Sequence, residues 1–162
     1  LLGEYFPFPI MLSWRAAGLT MAGAGLLMPI IYLLVRVDGF FMPRILARLR
    51  QLKPLLLDLN QSEIIFISAL AGFSEELFFR GVLQPLVGMT AASLVFGALH
   101  AVTPGYFLLA AAMGFYLGGL LEGTGNLLVP MAGHALYDIF ALNLLIRIYR
   151  REDLEAESSQ SD

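Results

Sequence analysis

Apolar residues fill this chain in long runs, and the polar interruptions fall where helices would have to turn. From about Ala16 to Val35 the run is unbroken and long enough for a bilayer crossing, which takes about 20 mostly apolar residues. Pro29 is an expected kink within it. Beyond Asn60 the pattern predicts a long helix from about Ser62 to Val87 and a short one from about Thr90 to His100. A third is expected from Tyr106 to Leu121 and a fourth from Leu127 to Ile148. Gly88, Thr103-Pro104-Gly105 and Gly123-Thr124-Gly125-Asn126 supply the breaks, all with turn chemistry. Between the first run and Asn60, Ile45, Leu46, Leu49 and Leu52 recur at helical spacing among cations. That spacing reads as a helix lying on the membrane surface, with a solvated linker as the alternative.

The expected fold is all-α: a polytopic transmembrane helix bundle of about five spans plus an interfacial helix. Composition agrees, because 162 residues that are 58% hydrophobic and 14% charged are too apolar for a soluble domain. The chain divides into residues 1–60, a span with its cationic interfacial segment; 61–150, a helical core; and 151–162, an acidic tail expected to be disordered. The net charge of −3 says little about partners, since five of the thirteen acids (Glu152, Asp153, Glu155, Glu157 and Asp162) sit in that tail. The lipid bilayer, not nucleic acid, is the expected environment. No cysteine is present, which excludes disulfides, thiol catalysis and cysteine-ligated metals. The start, Leu1-Leu2-Gly3, shows no signal-peptide pattern and is expected of a processed or partial chain.

Charge also orients the bundle. Arg36, Arg44, Arg48, Arg50 and Lys53 follow the first run within a short loop opposed only by Asp38, and Arg147, Arg150 and Arg151 follow the last. Short cationic loops stay on the cytoplasmic side, so the loop and the C-terminus are both expected there. The localisation implied is an integral protein of a bacterial-type inner or internal membrane. Gly114 and Gly118 make a small face that permits close helix contact.

Within the core, between Ser62 and Ile146, the charged residues are Glu63, Glu75, Glu76, Arg80, Glu122 and Asp138, joined by His100 and His134. Glu63 and Glu122 fall at expected helix ends. The others stand inside helices, where each ionised group costs about 2.5–3.5 kcal/mol on insertion scales unless it meets a partner or water. Glu76 and Arg80 are four apart with the acid N-terminal, the favourable order for an intrahelical ion pair. Glu75 projects about 100° around the helix, away from that pair, and is left facing another helix. His134 and Asp138 share one face of the last helix, and His100 follows Phe96 by one turn. A buried polar network that glues helices is one account of this set. Two carboxylates and two imidazoles from three helices are also the groups needed to activate water and hold an oxyanion.

These residues fall into three ordered motifs: GFSEELFFRG around Glu75, Glu76 and Arg80; FGALH from Phe96 to His100; and HALYD from His134 to Asp138. They resemble the EExxxR, FxxxH and His-xxx-Asn/Asp motifs of the CAAX protease and bacteriocin-processing (CPBP, or Abi) family, over about Ile64 to Leu145. The resemblance implies an intramembrane endopeptidase acting on membrane-associated protein or peptide substrates. By motif position, Glu75 and His100 would activate water, while His134 and Asp138 would support the oxyanion. Where CAAX-cleaving members carry Asn, this chain carries Asp138, and an ionised carboxylate cannot donate a hydrogen bond. Asp138 would then be protonated, orient His134, or bind metal.

No cofactor is expected under the glutamate-type mechanism. Zinc is the alternative, held by a set drawn from Glu75, His100, His134 and Asp138, although no HExxH helix is present. A functional alternative also stands: a catalytically idle family member serving as membrane scaffold or accessory factor, docked on a membrane protein complex.

Overall fold

The computed structural model describes residues 9–37 and 42–160; Leu1, Asp38 and Asp162, used in the sequence argument, lie outside them. All regular structure among the described residues is helical. Helix α1 covers Trp14–Val37, α2 Met42–Leu49 and α3 Lys53–Asp58, with a 3-10 turn at Arg50–Leu52 between α2 and α3. The core follows as α4, Gln61–Glu76; a π-helical segment, Leu77–Leu83; α5, Gln84–Leu99; α6, Pro104–Thr124; and α7, Leu128–Gln160.

Local chemistry accounts for the ends. Asn60 caps α4 by accepting from the backbone N–H groups of Ser62 and Glu63, while Glu63 accepts from the Asn60 N–H, a complete capping box. Thr103 caps α6 at the Tyr106 N–H, with Pro104 in the first turn, and Gly125 ends it in the left-handed conformation. Gly88, at φ 83°, breaks the helical path inside α5 where the sequence predicts a break. The chain doubles back there. Glu75 meets His100 and Phe79 meets Phe96, two pairs symmetric about Val87 and Gly88.

This hairpin bears on the expected count of about five spans. At about 1.5 Å per residue, the arm Met89–Leu99 extends roughly 16 Å, half of a hydrocarbon core of about 30 Å. It reaches only the level of Glu75, midway along its partner. Among the described residues three helical stretches are long and apolar enough to cross a membrane: Gln61–Leu99 with its bend, Pro104–Thr124 and Leu128–Ser159. The chain is an integral membrane protein of helical-bundle architecture.

Close backbone contact holds the bundle. A Cβ on Gly72 would lie 2.6 Å from the Met131 carbonyl oxygen and 2.8 Å from the Ala135 nitrogen, so α4 and α7 touch where a side chain would part them. Gly114 lies equally close to Ser93, and Gly118 to Gln84 and Met89, which gives the expected small-residue face its partner in α5. At one end of the bundle Asn126 exchanges hydrogen bonds with Met11. At the other, Leu56 of α3 packs with Ile64, Ile146 and Tyr149.

The flanks add detail to what was expected of them. Among the described residues α7 continues through the acidic segment to Gln160, and Glu152 and Asp153 meet Arg50 and Lys53. The cationic segment does form a helix, α2, but Met42 and Ile45 are buried against the protein instead of lying on lipid alone.

Candidate functional site

The bend at Gly88 brings two motifs together, and the antiparallel packing of α4 on α7 brings the third. Glu76 and Arg80 are fully buried, with Arg80 Nε 3.1 Å from Glu76 Oε2, as their spacing predicts. Arg80 Nη2 donates to the Gly114 carbonyl at 3.0 Å, and its guanidinium lies 5.2 Å from the Phe96 ring centroid. Glu76 has a second duty that helical spacing could not show. Its Oε1 accepts from His134 Nδ1 at 2.8 Å, across 58 positions of sequence. One carboxylate therefore ties an arginine of its own helix to an imidazole of α7.

Glu75 points away from that pair, as its position one residue earlier requires. Its Oε2 lies 3.6 Å from His100 Nε2, with both side chains about one-third exposed. This is too long for a direct hydrogen bond, and Oε2 is buried without a hydrogen-bond partner among the described residues. The Phe96 carbonyl accepts from His100 Nδ1 at 2.8 Å. A carbonyl has no proton to give, so Nδ1 carries the hydrogen and Nε2 of the neutral ring is an acceptor facing Glu75. The Phe96 ring stacks on His100 at 4.4 Å and meets His134 edge-on at 5.9 Å, wedging the two imidazoles into place.

His134 Nε2 lies 3.5 Å from Asp138 Oδ2, one turn along α7. With Nδ1 engaged by Glu76, Nε2 is the edge left to face the cavity. Glu75, His100, His134 and Asp138 all line one cavity of about 210 Å³, with Phe96 in its wall. The four groups divide into a Glu75–His100 pair and a His134–Asp138 pair. Among the described residues no group of three His, Asp or Glu side chains converges as metal ligands do, and no chemical step is drawn through zinc.

Two tyrosines that the motifs left aside also line the cavity. Tyr137 sits within HALYD and Tyr106 follows the Thr103-Pro104-Gly105 turn. Tyr137 was legible as part of a motif, but Tyr106 reaches the site only because α6 begins beside His100. Depth, a difficulty when His100 and His134 are placed on two full crossings, is resolved by the short arm Met89–Leu99.

Comparison with known proteins follows this geometry. Residues 61–140 match the family model described as type II CAAX prenyl endopeptidase Rce1-like. A curated relative, an uncharacterized protein YpbD of Bacillus subtilis (strain 168), is 43% identical over 93 residues, covering 55% of this chain and 49% of its own length. The chain thus spans about half the length of that relative. No solved structure matches.

Proposed function

We infer, from a core that is Rce1-like over residues 61–140, that this integral membrane protein is an endopeptidase acting on membrane-associated proteins or peptides. At family level this core is that of a CAAX-type intramembrane protease. The observation that carries the finer reading is the approach of Glu75 Oε2 to His100 Nε2, 3.6 Å apart, in a cavity also lined by His134 and Asp138.

The chemistry runs through side chains alone. A water donates one hydrogen bond to the Glu75 carboxylate and one to His100 Nε2, which leaves an oxygen lone pair aimed at a substrate carbonyl. Glu75 takes the proton as the water oxygen bonds to the carbonyl carbon. The carbonyl becomes an oxyanion within reach of the His134–Asp138 pair. His134, held at Nδ1 by Glu76, donates from Nε2 when its ring is protonated. Collapse of the tetrahedral carbon breaks the C–N bond, and the proton taken from water passes to the departing amine. The products are a carboxylic acid and an amine. Burial of Glu76 and Arg80 makes them the support of the site, setting where His134 stands.

The test compares membrane proteins captured by a Glu75→Ala variant with their size in cells carrying the parent chain. A captured protein shortened only by the parent assigns proteolysis. Capture with no shortening of any of them assigns the accessory, scaffold-like role instead.

A further inference from the structure

The catalytic cavity has a neighbour. An apolar groove of about 340 Å³ runs from it toward the end of the bundle that carries α2 and α3, and Tyr106, Leu109, Tyr137 and Asp138 line both spaces. One wall of the groove is α2, through Met42, Ile45, Leu46 and Leu49; the opposite wall is α7, through Leu142 and Leu145. Helix α2 therefore stands between the outside and the approach to Glu75 and Asp138.

We propose that α2 is a hinged lid over this groove, latched shut by the C-terminal extension of α7, and that releasing the latch opens the approach to the catalytic cavity. As a gate on hydrolysis this rests on the reading above; as a moving element it rests on the geometry alone.

Each part of such a device is present. The hinge is the 3-10 turn Arg50–Leu52, a break in hydrogen-bond pattern between α2 and α3. The fixed base is α3, anchored by buried Leu56 against Ile146 and Tyr149. The latch has three bonds. Tyr149 donates its hydroxyl to the Leu46 carbonyl at 3.3 Å, directly on the lid. Arg50 Nη2 meets Glu152 Oε1 at 2.8 Å in the hinge, and Lys53 pairs with Asp153 at its base. Each ion pair has an exposed partner, since Arg50 is 59% and Asp153 47% exposed. Exposed pairs are individually weak and screened by salt, which suits a contact that must release. Met42, Ile45, Leu46 and Leu49 seat the lid on the groove, so the latch adds to a closed state that these contacts already favour, and breaking the ion pairs shifts how often a small element opens without unfolding the bundle.

The absence of cysteine gives a direct readout. A Leu145→Cys chain in detergent is labelled with N-ethylmaleimide, and the rate at the groove wall is followed. Glu152→Lys with Asp153→Lys should raise that rate about threefold or more, the range expected when two exposed pairs become repulsive. Adding Arg50→Glu and Lys53→Glu, which restores opposite charges, should return it to the parent value. Raising salt from 0.05 to about 0.5 M, where screening shortens to a few Å, should speed labelling of the parent and not of the lysine variant. Cysteine at exposed Leu86, far from the groove, should respond to none of these changes. Labelling that ignores both the variants and salt overturns the lid, as does a charge-swapped chain that stays open. Should the fourfold variant fail to fold, the salt comparison decides on the unaltered charges. Because labelling needs no cleavage and should be unchanged by Glu75→Gln, failure of the lid and failure of the protease reading are told apart.

Discussion

Replacing Glu76 or Glu75 with glutamine removes one negative charge from adjacent positions, yet the structure assigns the two substitutions opposite consequences. Glu76 and Arg80 are both at 0% side-chain exposure. Glu76→Gln leaves the Arg80 guanidinium inside the protein with the Gly114 carbonyl and two aromatic rings as its remaining partners. Removing one partner of a buried ion pair costs about 3–5 kcal/mol. Glutamine has one oxygen where Glu76 has two, so it accepts from His134 Nδ1 or from Arg80 but not from both; the neutral bond that remains offsets part of the loss, so the lower part of that range applies, about 3 kcal/mol. At roughly 2–4 °C per kcal/mol for a chain of this size, the melting point should fall by about 6–12 °C. Glu75 is 32% exposed and lies 3.6 Å from His100 without a direct hydrogen bond. Glu75→Gln should therefore change stability by no more than about 0.5 kcal/mol while abolishing cleavage. Thermal unfolding of the two variants and the parent in one detergent, with shortening of a captured membrane protein as the activity readout, separates the cases. Equal melting points for the two variants, or a lower one for Glu75→Gln, would refute the division of labour between the carboxylates.

Three further predictions concern the chemistry and the membrane. Asp138→Asn should retain activity within about tenfold of the parent, because the amide keeps the shape beside His134 Nε2 and can donate to the oxyanion; a folded variant slowed by about a hundredfold or more, the size of a lost oxyanion group, would show that the Asp138 charge is required. A chelator should leave cleavage unchanged and the purified protein should hold no stoichiometric zinc, whereas one equivalent of metal lost on His134→Ala would restore the zinc mechanism. Cysteines placed at Arg48 and Ser158 should resist an impermeant reagent added outside intact cells, since cationic loops face the cytoplasm; labelling of either from outside would invert the bundle. The ion pairs from Arg50 to Glu152 and from Lys53 to Asp153 already require the two regions to share one side.

Whatever depends on neighbours along the chain was legible in the sequence. The core helices and their breaks, the Gly88 bend included, follow from apolar runs and turn residues. The Glu76–Arg80 pair follows from a spacing of four, and the outward aim of Glu75 follows from 100° of helical rotation. The motifs identified His100, His134 and Asp138 as residues of one site. Tertiary structure decided everything that depends on depth and on distant partners. A pattern of apolar residues does not distinguish a short crossing from an arm that stops midway, so the level of His100 emerged only once the arm Met89–Leu99 lay against Glu75. The bond from Glu76 to His134 joins residues 58 positions apart, and no period within either helix encodes it. The tail shows the same limit. Its acidic, serine-rich composition reads as disorder because it has no apolar face to bury, while α7 runs on to Gln160 and sets Glu152 and Asp153 against Arg50 of the 3-10 turn and Lys53 of α3, partners about 100 positions away. Local propensity chose the elements, while close approach of distant backbone, possible only where glycine leaves room as at Gly72, chose which polar groups face one another.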